Sequence, residues 1–194
     1  MMKKPDFHFP TLLRKLGRGG PAVTLPKDAG LIIGYTGIGK ESRVLELGSG
    51  SGFMTVQLAN IAKEVVSYEK RDEFLKIAQE NVKKAGLENV VFKHQDVLRG
   101  INEEDGAYDL VFVDIAEADA MAETASKALR KGGYMAAHCL HSEQAKLLHL
   151  VSLKLFSEVF TIEGIVREYE VRDFGFRPAH FGLMHTAYLV IARK

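Results

Sequence analysis

A glycine-rich segment at residues 46–52 is the part of this sequence whose residue types and spacing most directly indicate chemistry. It reads Glu-Leu-Gly-Ser-Gly-Ser-Gly, follows a hydrophobic run and leads into a helical stretch. A dinucleotide fingerprint needs G-x-G-x-x-G, but Phe53 and Thr55 stand where the two possible frames require the third glycine. The bare backbone of such a loop lets a ligand come close, and its amides can bind a carboxylate at a helix N-terminus. The segment therefore predicts a nucleoside ligand that is not a dinucleotide.

Carboxylates follow two of the hydrophobic runs. Glu69 lies 19 positions after Gly50, about where an acidic residue grips the ribose hydroxyls of a nucleoside. Asp114 directly follows the apolar run 110–113, where burying a carboxylate costs desolvation and so indicates a functional residue. The alternative interpretations are that Glu69 is an ordinary surface glutamate and that Asp114 is a structural cap. Because ligands of open α/β sheets bind beyond the carboxyl ends of the strands, we expect both side chains at one edge of a sheet.

The elements that position these residues follow from periodicity. Short Val/Ile/Leu-rich runs alternate with segments of helical period, which predicts a parallel sheet with helices on both faces. The predicted strands cover residues 43–47, 64–68, 90–93, 108–113 and 134–138, and the predicted helices cover 54–61, 72–85, 121–129 and 142–155. Gly86 stands where a left-handed cap of the second of these helices is expected.

The two ends of the chain differ from this pattern. Long extended stretches at 160–171 and 186–193 predict an antiparallel pair at the sheet edge, joined by a segment with Gly175, Pro178 and Gly182. Residues 28–34 predict a short helix capped by Asp28 that covers the glycine loop. Residues 1–20 predict a partly flexible N-terminal arm, and residues 21–194 a single domain.

Composition limits the class of protein. The chain has 194 residues and is 46% hydrophobic, which suffices for one full core. Its formal net charge of +1 gives no global field for nucleic acid, although a local basic patch would be enough. Cys139 is the only cysteine, so no intrachain disulfide forms and a reducing compartment is expected. Every apolar run is strand-length and the start lacks an apolar signal core, so we expect a cytoplasmic protein without a membrane span.

The segment 46–52 resembles the first motif of the Rossmann-like S-adenosylmethionine (SAM) methyltransferases. The resemblance implies an enzyme with SAM as cofactor and an α/β fold, a mostly parallel sheet with an antiparallel C-terminal edge pair and helices on both faces. It places Asp96 as the acceptor for the adenine amino group of the cofactor. The candidate cofactor-binding residues are Leu25, Lys27, Glu46, Gly48, Ser49, Gly50, Ser51, Gly52, Glu69, Lys70, Asp96, Val97 and Asp114.

Further motifs resemble the tRNA (adenine-58-N1)-methyltransferase family over about residues 20–194. They are Leu-Pro-Lys-Asp-Ala-Gly at 25–30, Ser-Tyr-Glu-Lys-Arg at 67–71, Arg-Pro-x-His at 177–180 and His-Thr-Ala at 185–187. The resemblance implies tRNA as partner and a homo-oligomer, a dimer or tetramer. It makes Asp114 the catalytic residue nearest the acceptor adenine, with Arg177, His180 and His185 bordering the target base.

Such a methyl transfer requires few catalytic groups from the protein. Adenine N1 is already a lone-pair nucleophile and SAM carries a sulfonium leaving group, so alignment would supply much of the rate. Methylation leaves a cationic adenine. An anionic Asp114 that accepts a hydrogen bond from the adenine amino group would stabilise that developing charge.

Two features depart from the family pattern. Asp114 is followed by Ile-Ala-Glu instead of a proline-containing stretch, and the residues before Leu25 are too few for the family's additional N-terminal β-rich domain. A shortened relative with another substrate is therefore an alternative. Others are a small-molecule enzyme similar to the precorrin methylases, a protein methyltransferase, and a catalytically silent SAM-binding subunit. The run His138-Cys139-x-His141 is better explained by packing, with room for one histidine to face the pocket, than by a metal site, because adjacent strand residues point to opposite faces.

Overall fold

The computed structural model describes residues 8–19, 22–180 and 185–194. The strands are β1 Arg43–Leu47, β2 Glu64–Glu69, β3 Val90–His94, β4 Tyr108–Val113, β5 Leu129–Cys139, β6 Glu158–Glu163, β7 Tyr169–Arg172, β8 Gly175–Pro178 and β9 Tyr188–Arg193. The helices are α1 Thr11–Arg14, α2 Pro26–Thr36, α3 Phe53–Ala59, α4 Asp72–Ala85, α5 Ala122–Ala128 and α6 Ser142–Ser152. Short 3-10 turns lie at Val97–Arg99 and Ala118–Met121. No helix in these ranges is long and apolar enough to cross a membrane.

Seven strands form one sheet in the order β3-β2-β1-β4-β5-β9-β6. Strands β1 to β5 are parallel, and β9 runs antiparallel between β5 and β6. The prediction of a mostly parallel sheet with an antiparallel C-terminal edge pair is confirmed. The strand order reverses between β1 and β4, and the carboxyl ends of these two strands flank the crevice where such sheets bind ligands.

Both faces of the sheet are buried. Ala29, Ile32 and Met54 from α2 and α3 pack on one face, and Ala125 and Leu148 from α5 and α6 pack on the other. Alternate strand residues enter the two layers, as the pleat requires. The central strands are therefore held rigidly, and the side chains at their carboxyl ends have fixed positions.

The helix predicted at 28–34 is longer and begins differently. It starts at Pro26, whose fixed φ and missing N–H suit a first helical turn, and Leu25 precedes it without a side-chain cap. Asp28 lies inside the helix, fully buried, and accepts a hydrogen bond from Lys27 Nζ at 2.7 Å. The prediction that Asp28 caps the helix is wrong, because the proline begins the helix two residues earlier.

The predicted strand 160–171 is interrupted. Strand β6 ends at Glu163, and the chain then passes close to α2, where a Cβ on Gly164 would lie 2.4 Å from the terminal methyl Cδ1 of Leu31. A separate hairpin, β7–β8, follows between β6 and β9. The end of β6 and the start of β9, between which the hairpin lies in the chain, are both at the edge of the sheet formed by the carboxyl ends of the parallel strands. Gly182 of the predicted joining segment lies outside the described residues.

The described part of the predicted flexible arm is packed. Phe9, Leu13 and Leu16 are buried against Phe53 and Val82 from α3 and α4. Leu13 lies in α1, and Phe9 and Leu16 lie just outside its two ends. Burial of these three apolar side chains holds residues 8–19 against the domain. The domain division at residue 20 stays a prediction.

Candidate active site

A cavity of about 400 Å³ opens at the carboxyl ends of the parallel strands. A smaller depression of about 100 Å³ adjoins it over the glycine loop. The two share five lining residues, namely Gly48, Arg71, Asp114, His138 and Leu140. The larger volume is within the range of cofactor sites. Of the predicted cofactor residues, the cavity and depression bring together Gly48, Ser49, Gly50, Ser51, Glu69, Lys70, Asp96, Val97 and Asp114.

The glycine loop turns sharply between β1 and α3. The N–H groups of Gly48 and Ser49 both donate to the Tyr68 carbonyl at 3.0 Å. Gly48 has φ +100, and a Cβ there would lie 2.5 Å from the Asp114 carbonyl oxygen. Gly52 has φ +79, and its Cβ would lie 2.9 Å from Ala78 Cα. Two of the three glycines are thus required by close contact with β4 and α4.

Glu46 supports this loop from beneath and does not line the cavity. Its Oε2 accepts hydrogen bonds of 2.5 Å from Thr55 Oγ1 and from Ser67 Oγ, while Oε1 has no partner among the described residues. Full burial raises the pKa of this carboxyl to about 7, although the two hydroxyl donors oppose the shift. Glu46 therefore links β1, α3 and β2 below the glycine loop.

Glu69 forms the wall opposite the loop. It is only 3% exposed. Its Oε2 accepts from the Gly50 N–H at 2.9 Å, and its Oε1 accepts from the Arg71 N–H at 3.0 Å and Arg71 Nε at 3.1 Å. Each carboxylate oxygen has more than one acceptor position. Glu69 can therefore hold the loop in place and still accept from a ligand hydroxyl.

Asp96 follows β3 at the far side of the cavity. Its Oδ1 accepts from the Leu98 N–H at 3.1 Å and caps the turn Val97–Arg99. Leu98 lines the cavity and is 42% exposed, so it offers an apolar surface there. A carboxylate beside an apolar wall suits a flat heteroaromatic ring that carries an amino group.

Asp114 lies where the cavity and the depression meet. Its N–H donates to the Leu47 carbonyl at 3.0 Å, which fixes the backbone beside the glycine loop. Its side chain is 32% exposed, and Oδ1 lies 3.7 Å from His138 Nδ1. No hydrogen bond from the described residues occupies this carboxylate within normal distance. Asp114 can therefore accept a hydrogen bond from a substrate.

Sequence reasoning favoured packing for residues 138–141 and allowed one histidine to face the pocket, and the structure places both His138 and His141 in the cavity lining. The side chain of His138 is 6% exposed, and its Nδ1 is buried without a hydrogen-bond partner in the described ranges. Burial opposes protonation, but the Asp114 carboxylate outweighs it and raises the pKa of His138. Strand alternation, which sends Cys139 into the opposite layer, was the signal that could have identified it.

Gln144 holds together the two loops that border Asp114. Its Nε2 donates to the carbonyls of Ile115 at 2.8 Å and Ala116 at 3.1 Å, after β4. Its Oε1 accepts from the Leu140 N–H at 3.0 Å, after β5. The cavity edge next to Asp114 is thereby braced by one side chain that sequence reasoning did not single out.

The other predicted site residues lie outside the cavity. Leu25 is buried in the apolar cluster below the N-terminal segment. Lys27 Nζ donates to Gly164 O at 2.7 Å and Thr186 Oγ1 at 2.5 Å, so it ties α2 to the C-terminal segment.

The three predicted substrate residues also lie outside the cavity. Arg177 bonds to Glu170 across the hairpin, and His180 is exposed beyond it. His185 is the nearest of the three, because it bonds to Glu163 Oε1 at 2.6 Å and approaches the Leu140 carbonyl at 3.4 Å. The Glu163 carboxylate raises the pKa of this histidine.

The charges of the cavity suit a cationic cofactor. Glu69, Asp96, Asp114 and Glu117 line it, against Lys70 and Arg71, so carboxylates outnumber cations by four to two. Such a wall repels a pyrophosphate and attracts a sulfonium. Ser49 Oγ is buried beside the depression without a partner among the described residues, which leaves a hydrogen-bonding group for the polar end of a ligand. These residues fit SAM.

Fold and site together define a SAM-dependent methyltransferase, and the methyltransferase domain family matches residues 38–168. Over 95% of its length the chain is 33% identical to "tRNA (adenine(57)-N(1)/adenine(58)-N(1))-methyltransferase TrmI" of Methanocaldococcus jannaschii, of which it covers 76%. It is 34% identical to the tRNA (adenine(58)-N(1))-methyltransferase TrmI of Thermus thermophilus, covering 96% of this chain and 76% of that protein. The crystal structure of tRNA (m1A58) methyltransferase TrmI from Aquifex aeolicus superposes with a TM-score of 0.88 at 32% identity, over 95% of this chain and 76% of that one. The chain belongs to the TrmI family of methyltransferases.

Proposed function

We propose that this methyltransferase transfers the methyl group of SAM to N1 of an adenine in tRNA. The observation that carries the proposal is the position of Asp114, a carboxylate that accepts no hydrogen bond from the described side chains and lies where the cavity meets the depression over the glycine loop. The names of the related proteins, each a tRNA adenine-N1 methyltransferase, support the same acceptor. A tRNA substrate would place the enzyme in the cytoplasm.

The cofactor would be held by residues already in position. Glu69 would accept from the ribose hydroxyls, Asp96 from the adenine amino group, and the glycine-loop amides with Ser49 would bind the methionine carboxylate. When bound, SAM supplies an electrophilic methyl group on a sulfonium. The four-to-two excess of carboxylates in the cavity favours that cation.

Asp114 would act on the acceptor base. Attack by adenine N1 forms an N–C bond as the S–C bond breaks, so the positive charge passes from sulfur to the adenine ring. A carboxylate that accepts from the adenine amino group orients N1 and stabilises the cationic product. The site needs no general base, because adenine N1 carries no proton.

Recognition of the rest of the RNA would fall to the segment between β6 and β9. Arg177, His180 and His185 lie in this segment, at the same end of the sheet as the cavity. We propose that they contact RNA around the target base, with His185 nearest because it approaches Leu140 at the cavity edge.

We also propose that the chain forms a homo-oligomer, a dimer or tetramer, through the hairpin β7–β8. Val171, Phe174 and Phe176 are 75%, 87% and 69% exposed, and Tyr169 stacks on Phe176 at 4.8 Å. Large apolar side chains grouped on a surface mark an interaction site. Sedimentation equilibrium measures the assembly directly, and a monomer at all concentrations would refute it.

Radiolabelled SAM and unmodified tRNA test the acceptor. After incubation, the RNA is digested and the labelled nucleoside is identified, while SAM binding is measured in parallel. We expect labelled 1-methyladenosine. A different labelled nucleoside, or SAM binding without label in RNA, would overturn the tRNA proposal and direct the search to small molecules, proteins or a partner subunit.

A further inference from the structure

His138 lies beside Asp114, but the proposed methyl transfer gives His138 no role. His138 Nδ1 is buried and has no hydrogen-bond partner among the described residues, although a buried polar atom without a partner is costly. Asp114 Oδ1 lies 3.7 Å away, across the junction of the cavity and the depression. That distance exceeds a hydrogen bond, and active-site hydrogen bonds often shorten when the substrate binds.

We propose that His138 is a positioning residue for Asp114, whose carboxylate it orients by donating Nδ1–H to Oδ1, leaving Oδ2 for the acceptor base. The inference rests on the proposed role of Asp114 in methyl transfer. It assigns His138 no contact with the reacting atoms. His138 acts only by orienting the Asp114 carboxylate.

The protonation state of His138 matters for this role. The neutral ring can donate its single N–H to Asp114 and leave the carboxylate anionic, whereas an imidazolium would cancel that charge and oppose a cationic product. The charged groups that act on His138 are Asp114, Asp28 and Lys27, and the Asp114 carboxylate raises its pKa. Activity is therefore expected to fall as pH falls through the pKa of His138.

A double-mutant cycle tests the coupling. We expect His138→Gln to lower kcat about tenfold, within the range for contacting residues, while the Kd for SAM changes less than about twofold. In the Asp114→Asn background the same substitution should lower kcat less than about twofold. Equal losses in both backgrounds would overturn the proposal. His149→Gln is the matched control, because His149 on α6 bonds to Thr161 on β6 and does not line the cavity.

A second readout does not depend on activity. The imidazole signal of His138 is assigned among seven histidines by its absence in His138→Gln, and its pKa is measured by NMR in the wild type and in Asp114→Asn. We expect the pKa of His138 to fall when the carboxylate is removed. An unchanged pKa would overturn the pairing even if tRNA is methylated, whereas a lowered pKa without methylation of tRNA would overturn the acceptor and leave the pairing established.

Discussion

The carboxylates of the site differ in their surroundings, and this gives them different roles. Glu69 is 3% exposed and accepts three hydrogen bonds from Gly50 and Arg71, so it forms part of the framework. Asp114 is 32% exposed and has only His138 nearby at 3.7 Å among the described residues. Glu46 lies beneath the loop and outside the cavity. Position at a strand end identified Glu69 and Asp114 in the sequence, and the glycine-rich motif identified Glu46. Only the burial and the hydrogen-bond partners in the structure distinguish a supporting carboxylate from one that can act on a substrate.

Glu46 should make stability depend on pH. Its folded pKa is about 7 against an ordinary value of 4.5, so the folded state retains a proton that the unfolded state has lost between these values. The stabilisation is fully present below about pH 4.5 and is lost as pH rises through about 7. Relative to Glu46→Gln, the free energy of unfolding of the wild type should fall by about 3 kcal/mol across this window. Urea unfolding at a series of pH values measures it, and parallel curves for the two proteins would contradict the assignment.

Gly48→Ala should destabilise the protein because the added methyl group would clash with neighbouring atoms of the chain. The new Cβ would meet the Asp114 carbonyl at 2.5 Å and Ile115 Cγ2 at 2.8 Å, in addition to the strain of φ +100. We expect a loss of about 3 to 5 kcal/mol in the free energy of unfolding, together with weaker SAM binding.

Gly100→Ala is the matched control for this effect. Gly100 has φ +103, but no described atom lies within 4 Å of the position that a Cβ would take, so only the backbone strain of about 1 to 3 kcal/mol applies. If both substitutions cost the same free energy of unfolding, the close approach of the loop to β4 would not matter.

At the scale of elements, Asn81 joins the N-terminal segment to the glycine loop. It is fully buried in α4, where Oδ1 accepts from the Gly17 N–H at 2.8 Å and Nδ2 donates to Gly17 O at 2.9 Å and Ser51 O at 2.8 Å. One side chain thus fixes three backbone groups from two segments that cover the depression.

Asn81→Ala should therefore release the N-terminal segment. Three backbone groups lose their partner, which we expect to cost about 2 to 4 kcal/mol and to speed exchange of the Gly17 amide. Hydrogen exchange and urea unfolding measure the two effects. Asn60→Ala, at an exposed position after α3, is the control, and equal protection of Gly17 in both variants would rule out the link.

The elements that sequence predicts best are those with a strong local period. Strands β1 and β4 have the predicted bounds, and so does α4, since an apolar stripe and the left-handed Gly86 determine it locally. The other elements depend on contacts between residues that are distant in sequence. Lys27 on α2 donates to the Gly164 carbonyl directly after the end of β6, and Phe9 packs on Phe53 in the N-terminal segment. The pairing of His138 with Asp114 was missed because the two residues are far apart in sequence, one in β5 and the other directly after β4.

At the scale of the whole molecule, the sheet places every part of the site at one edge. The reversal of strand order between β1 and β4 opens the crevice there, and the hairpin between β6 and β9 stands at the same end. The residues that we propose to bind the cofactor follow β1, β2 and β3, whereas Asp114, His138 and the hairpin come from β4 onward. We therefore propose that the fold separates cofactor binding from acceptor binding, with Asp114 at the boundary.

The most direct test of that division compares Asp114→Asn with the wild type in two measurements, the Kd for SAM by calorimetry and single-turnover methylation of tRNA. Asparagine keeps the size of the side chain but removes the charge that faces the acceptor. We predict a Kd for SAM within about threefold of the wild type and a methylation rate lower by about 100-fold or more. A variant that methylates at the wild-type rate, or whose loss of rate is explained by weaker SAM binding, would contradict the account.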